Sequence, residues 1–224
     1  MEFNGTFELE DTTVDEVWLA LSDPVLIKDS LPGCTFLLEV EDDDPDFDSL
    51  SERAEEEGER ELTGDPEVIA ERALKEGALY AALLQVSVGP VNPTFETVVQ
   101  IDEREKPQML ASGEGSSGDS SFEMSSWMEL SESDTGVTVE WGAEADVFGK
   151  VAGMGQRVIN PVANRLVKQF FTSVQSTLRE LTLLESEAVQ SGDGDTEGTE
   201  TEAESSEKRG LVDRLLGRNK TNSQ

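Results

Sequence analysis

The sequence predicts an α+β fold in which a curved antiparallel sheet wraps around one long C-terminal helix. Three patterns carry that expectation. A strand and two short helices open the chain. Between Ala78 and Val147, apolar and polar residues alternate through several segments. After Gly149, apolar residues recur at nearly every fourth position.

Residues 2–10 read as the first strand, with Phe3, Phe7 and Leu9 set among polar residues. Asp11 or Thr12 can cap a helix whose Val14, Val17, Trp18 and Leu21 share one face, and Pro24 starts a second short helix. Leu31-Pro32-Gly33-Cys34 is a turn leading into a strand that ends at Val40. Residues 41–77 form an acidic insertion. Its first part, 41–64, has few large apolar residues and reads as a solvated, mobile stretch. Asp65-Pro66 starts a short amphipathic helix that Gly77 can stop.

The strands follow. Leu84, Val86 and Val88 share one face, Gly89-Pro90 turns the chain, and Phe95, Thr97, Val99 and Ile101 form the next inward set. Met109 to Gly113 reads as a short strand, with a flexible Gly/Ser/Asp stretch to Ser121. Phe122, Met124, Ser126, Met128 and Leu130 alternate with Glu123, Trp127 and Glu129, which puts Trp127 on the outer face. Asp134-Thr135-Gly136 closes a hairpin into Val137, Val139, Trp141, Ala143, Ala145 and Val147. From Gly149, Met154, Val158, Val162, Leu166, Phe170, Val174, Leu178 and Leu181 mark one helical stripe. Pro161 predicts a kink near 157–161, and the helix is expected to end near Glu185. The predicted domain thus spans 1–185. Residues 186–207, made of Gly, Ser, Thr and acids, read as a disordered linker. Residues 208–220 read as a basic amphipathic helix. There Leu211, Val212, Leu215 and Leu216 share a face beside Arg209, Arg214 and Arg218, a pattern suited to docking on a membrane surface.

Composition narrows the function. Among 224 residues, 49 are acidic and 17 basic, a net charge of -32. Such a surface repels phosphates, so no nucleic-acid partner is expected. The acidity reads as halophilic adaptation, in which concentrated salt screens the repulsion. There is no histidine, which excludes Ser-His-Asp and Cys-His mechanisms and removes the commonest metal ligand. The one cysteine, Cys34, allows no internal disulfide and no thiolate metal cluster, and reads as a small buried hydrophobe. No metal site and no catalytic residues are predicted. The opening Met-Glu-Phe-Asn lacks a basic and an apolar region, so no secretory signal is expected.

A narrower match lies in the motifs. Met1-Glu2-Phe3-Asn4-Gly5 opens the first strand. Val17-Trp18-Leu19-Ala20-Leu21 precedes Asp23-Pro24, and Leu31-Pro32-Gly33-Cys34 follows. Val88-Gly89-Pro90-Val91 and Gly113-Glu114-Gly115 mark the strands. Gly149-Lys150-Val151-Ala152, Gly155-Gln156-Arg157-Val158-Ile159 and Gln169-Phe170-Phe171 mark the long helix. In this order they resemble the CoxG family of carbon monoxide dehydrogenase subunits, which has the START-like helix-grip fold, over about residues 1–40 and 78–185. The insertion at 41–77 departs from the family's short hairpin.

The resemblance implies a non-catalytic protein with a cavity between sheet and long helix. It also implies association with a molybdenum hydroxylase of the carbon monoxide dehydrogenase type, and peripheral attachment to the inner face of the cell membrane. The expected ligand is an apolar small molecule, a quinone or a lipid. The inward residues that would line its cavity are Leu84, Val86, Val88, Phe95, Val99, Met124, Met128, Val139, Trp141, Met154, Val158, Val162, Leu166 and Phe170. Two alternatives stay open. One is a cyclase- or hydrolase-like enzyme in the same cavity, using Tyr80 and inward carboxylates. The other is an assembly protein whose core is closed.

Overall fold

The structure is a computed structural model that describes residues 1–58 and 60–191. The chain divides into two units, Met1–Ser186 and Glu187–Gln224. The expected linker beyond Ser191 and the basic segment 208–220 lie outside the described residues.

The first unit opens with β1 (Glu2–Glu10), α1 (Val14–Ala20), α2 (Pro24–Ser30) and β2 (Cys34–Val40). Thr13 caps α1 in a reciprocal capping box with Glu16, and Asp23 caps α2 ahead of Pro24. Next come α3 (Phe47–Glu57), α4 (Pro66–Arg72), β3 (Leu79–Gln85), β4 (Thr94–Glu105), β5 (Gln108–Ser117), β6 (Ser120–Glu132) and β7 (Gly136–Phe148). The unit closes with α5 (Gly149–Ala152) and the long α6 (Gln156–Ser191). All seven strands form one antiparallel sheet in the order β1-β7-β6-β5-β4-β3-β2. One face carries the apolar alternates and packs against α1 and α6. This is the predicted fold.

Four local expectations change. Residues 47–57 are helical, not mobile. Asp46 caps α3 by accepting from Asp48 and Ser49, and Phe47, Leu50 and Ala54 place their apolar face over Phe36, Leu38 and Ala81. The helix at Pro66 ends at Arg72 rather than near Gly77, because the next residues leave it to dock. The Leu74 N–H donates to the Ser22 carbonyl at 2.8 Å, and Leu74 enters the main core.

The Gly/Ser stretch expected to be flexible is ladder: β5 runs to Ser117 and only Gly118 and Asp119 separate it from β6. Strands on both sides satisfy its backbone, which outweighs the weak strand propensity of Gly and Ser. Finally, the break in the terminal helical segment falls at 153–155, where Gly155 has φ +75°. Helix α6 continues through Pro161 and runs to Ser191, beyond the expected end at Glu185.

The insertion is fastened by charge. The Asp23 carboxylate, 1% exposed, accepts from Arg72 Nε at 2.9 Å and Nη2 at 2.7 Å, and also from the Val25 N–H at 3.0 Å. Nearby, Arg104 Nη2 donates to Ser22 Oγ at 2.9 Å while its guanidinium lies 5.1 Å from the Trp18 ring centre. Burial pulls the Arg104 pKa down.

Candidate functional site

Strand register sets the inner face of the sheet row by row. Ala82, Thr97, Gly115, Phe122 and Val147 pair across β3 to β7. The next row is Tyr80, Val99, Gly113, Met124 and Ala145, and the one after it includes Ile101, Ala111, Ser126, Ala143 and Phe3. Large apolar side chains gather toward the two ends of the sheet, and the middle is lined by small ones.

Of the predicted cavity residues, Val99, Met128, Val139, Trp141 and Phe170 join one cluster with Leu9, Val17 and Val174. That end is closed: Leu9, Val17, Val137, Val139 and Val174 are fully buried. Leu84, Val86, Val88, Phe95, Met154, Val158, Val162 and Leu166 join a second cluster with Val151, Phe122 and Val147. On α6, Val158, Ile159, Val162, Leu166, Val167 and Phe170 are only half-buried, whereas Phe171 and Val174, further along, are buried. Met124 enters neither cluster. It stands between them, among Gly113, Gly115, Ser126, Ala143 and Ala145. The predicted residues therefore form two groups separated by a belt of small side chains.

The belt has an unsatisfied polar group. Thr97, 6% exposed, points inward between Phe95 and Val99, and its hydroxyl has no hydrogen-bond partner. It lies beside the Phe122 ring above bare Gly115, where an added Cβ would come within 2.5 Å of Phe122 and 2.8 Å of the Thr97 oxygen. Ser126, by contrast, donates to the Ala111 carbonyl at 3.2 Å.

The candidate acid/base group Tyr80 is 3% exposed, and its hydroxyl oxygen accepts from the Lys75 N–H at 2.9 Å. Burial raises its pKa further from neutrality. Cys34 is half-buried and its thiol donates to the Phe36 carbonyl at 3.2 Å, with desolvation pushing its pKa up to about 11. Among the described residues no cluster of Asp, Glu or Cys is arranged to hold a metal ion, and no helix is long and apolar enough to cross a membrane.

Two features escaped the sequence reading. A cleft of about 720 Å³ lies at the free edge of β2, between α2, α3 and residues 60–62, with Lys28, Arg60, Glu55 and Glu57 among its lining. Arg53 and Arg60 hydrogen-bond Glu57 and lower its pKa. The cleft depends on α3, whose signal was the Asp46 cap and the 47, 50, 54 spacing. The second is a shallow depression on the outer face beside Trp127.

A curved antiparallel sheet gripping a long C-terminal helix, with two short helices after its first strand, defines a START-like helix-grip domain. The CoxG family of carbon monoxide dehydrogenase subunits matches residues 72–179, and that part of the chain belongs to it. Among solved structures, a conserved protein from Geobacillus kaustophilus is 22% identical with a TM-score of 0.60, covering 80% of this chain and 96% of its own. Ara h 8.0201 is 12% identical with a TM-score of 0.49, covering 80% of this chain and 98% of its own. The Zhui aromatase/cyclase from Streptomyces sp. R1128 is 12% identical with a TM-score of 0.47, covering 80% and 92%. Comparison with curated proteins gives no match.

Proposed function

We propose that this chain is a non-catalytic carrier that holds an apolar small molecule, a quinone or lipid, between the sheet and α6. The observation carrying this reading is the belt of small residues facing a half-buried stretch of helix. Protein interiors are close-packed, so an apolar helix face left half-buried over glycines and alanines is short of partners. A ligand supplies them, each buried methylene contributing about 0.8 kcal/mol. The Thr97 hydroxyl is an unpaired polar group facing this belt, and it would donate to a ligand carbonyl. The engaged Tyr80 hydroxyl and the lack of any histidine favour carriage over catalysis.

The CoxG family match supports a working partner of the molybdenum hydroxylase type, as recruitment, maturation or carrier factor. The basic segment 208–220 would dock the protein on the inner face of the cell membrane through Leu211, Val212, Leu215 and Leu216. The halophilic reading of the charge belongs to the same proposal.

Titrating the full chain at high salt with decylubiquinone, read by tryptophan fluorescence, tests the pocket because Trp141 borders the belt. Saturable quenching is expected, and its absence would sink the carrier reading. Deleting residues 208–224 should move the protein from the membrane fraction to the supernatant. Unchanged sedimentation would remove the tether.

A further inference from the structure

The outer face of the sheet holds a second site. On β6, Trp127 points away from the core and is 46% exposed, among the largest exposed apolar surfaces of the described residues. Its indole lies across Gly142 of β7. A Cβ there would meet the indole nitrogen at 2.5 Å, so the bare glycine is what lets the ring lie against the sheet. The ring borders a depression of about 470 Å³ whose lining includes Glu2, Asn4, Glu140 and Glu144.

Register places these together: Glu2 pairs with Glu144, Asn4 with Gly142, and Gly142 with Trp127. Among the described residues, no lysine or arginine lines the depression. Among those residues, too, none of these three glutamates has an ion-pair partner, although Glu10, Asp15, Asp23, Glu39 and Glu57 each have one.

We propose that this depression binds an arginine side chain from a basic partner protein, the guanidinium stacking on Trp127 while Glu140, Glu144 or Glu2 accepts its N–H groups. A planar, weakly hydrated cation suits both an aromatic face and a carboxylate. Charge selects this occupant. A second copy of the chain would bring like charge against like, and anionic lipid or nucleic acid would be repelled in the same way. An exposed aromatic inside such a surface offers what bare carboxylates lack, a preference for arginine over lysine. This surface is on the opposite face from the belt and is independent of the ligand reading.

The test is fluorescence anisotropy of labelled octa-arginine and octa-lysine peptides with the full chain. Wild type should bind octa-arginine more tightly than octa-lysine. Trp127→Ala should weaken octa-arginine about threefold or more while changing octa-lysine little, and Trp127→Phe should keep most of the arginine preference. Glu140→Gln with Glu144→Gln should weaken both peptides. Because Trp127 is half-exposed, an unchanged far-ultraviolet circular dichroism spectrum and melting temperature will show that the Trp127→Ala variant is folded. Equal binding of octa-arginine to wild type and Trp127→Ala would overturn the proposal. So would parallel loss of both peptides in Trp127→Ala.

Discussion

The two ends of the sheet hold the same helix in different ways. At one end Leu9, Val17, Val137, Val139 and Val174 are fully buried, and Phe7 stacks on Phe171 with ring centres 5.3 Å apart. At the other end Val158, Val162 and Leu166 remain half-buried over Leu84, Phe95 and Phe122. Between them lie glycines, alanines and Met124. The first end has the packing of a core that determines stability. The second has apolar surface left over, which is the property a ligand site needs and a closed core lacks.

Mutations separate the two ends by size of effect. Arg72→Met strands the Asp23 carboxylate in the wall beside the closed end, and thermal or urea unfolding should show a loss of about 3–5 kcal/mol. Leu9→Ala opens a cavity in the closed end and should cost about 2–5 kcal/mol by urea unfolding. Leu166→Ala removes the same atoms from a half-buried place and should cost about 1 kcal/mol. Equal losses for the two leucines would erase the distinction.

Filling the belt sharpens the distinction. Ala143→Phe should leave the unfolding midpoint within about 1 kcal/mol of wild type, since it enters vacant space, whereas overpacking a closed core costs about 1–3 kcal/mol. The smallest effect is at Cys34, opposite Leu84 on the sheet edge. With the thiol pKa pushed up to about 11, thiolate is scarcer in the folded chain than in the unfolded one at pH 8–9. Alkylation should therefore be slow until the protein is unfolded. The raised pKa contributes stability at neutral pH that is lost as pH rises through about 11, because the unfolded thiol gives up its proton first.

Much of this fold was legible in the sequence because its signals are local. Thr13 and Asp23 cap the first helices, Pro24 starts the second, and alternation assigned Trp127 to the outer face. The long-range terms were not legible. Acid density hid α3, whose stability comes from Leu50 packing on Phe36 and Leu38 of a strand that precedes it. The glycines and serines of β5 read as loop because only partners on both sides make them strand. The site was legible as an inward face but not as two clusters and a gap. Periodicity says which way Val139 and Val162 point. It does not say that one is sealed and the other left half-open.

Native mass spectrometry of the full chain purified at high salt, beside Ala143→Phe, tests the central claim most directly. The account predicts that wild type carries a neutral apolar adduct and that the filled variant, equally stable, does not. Bare protein in both samples, together with destabilisation of Ala143→Phe by about 1–3 kcal/mol, would show a closed core and contradict it.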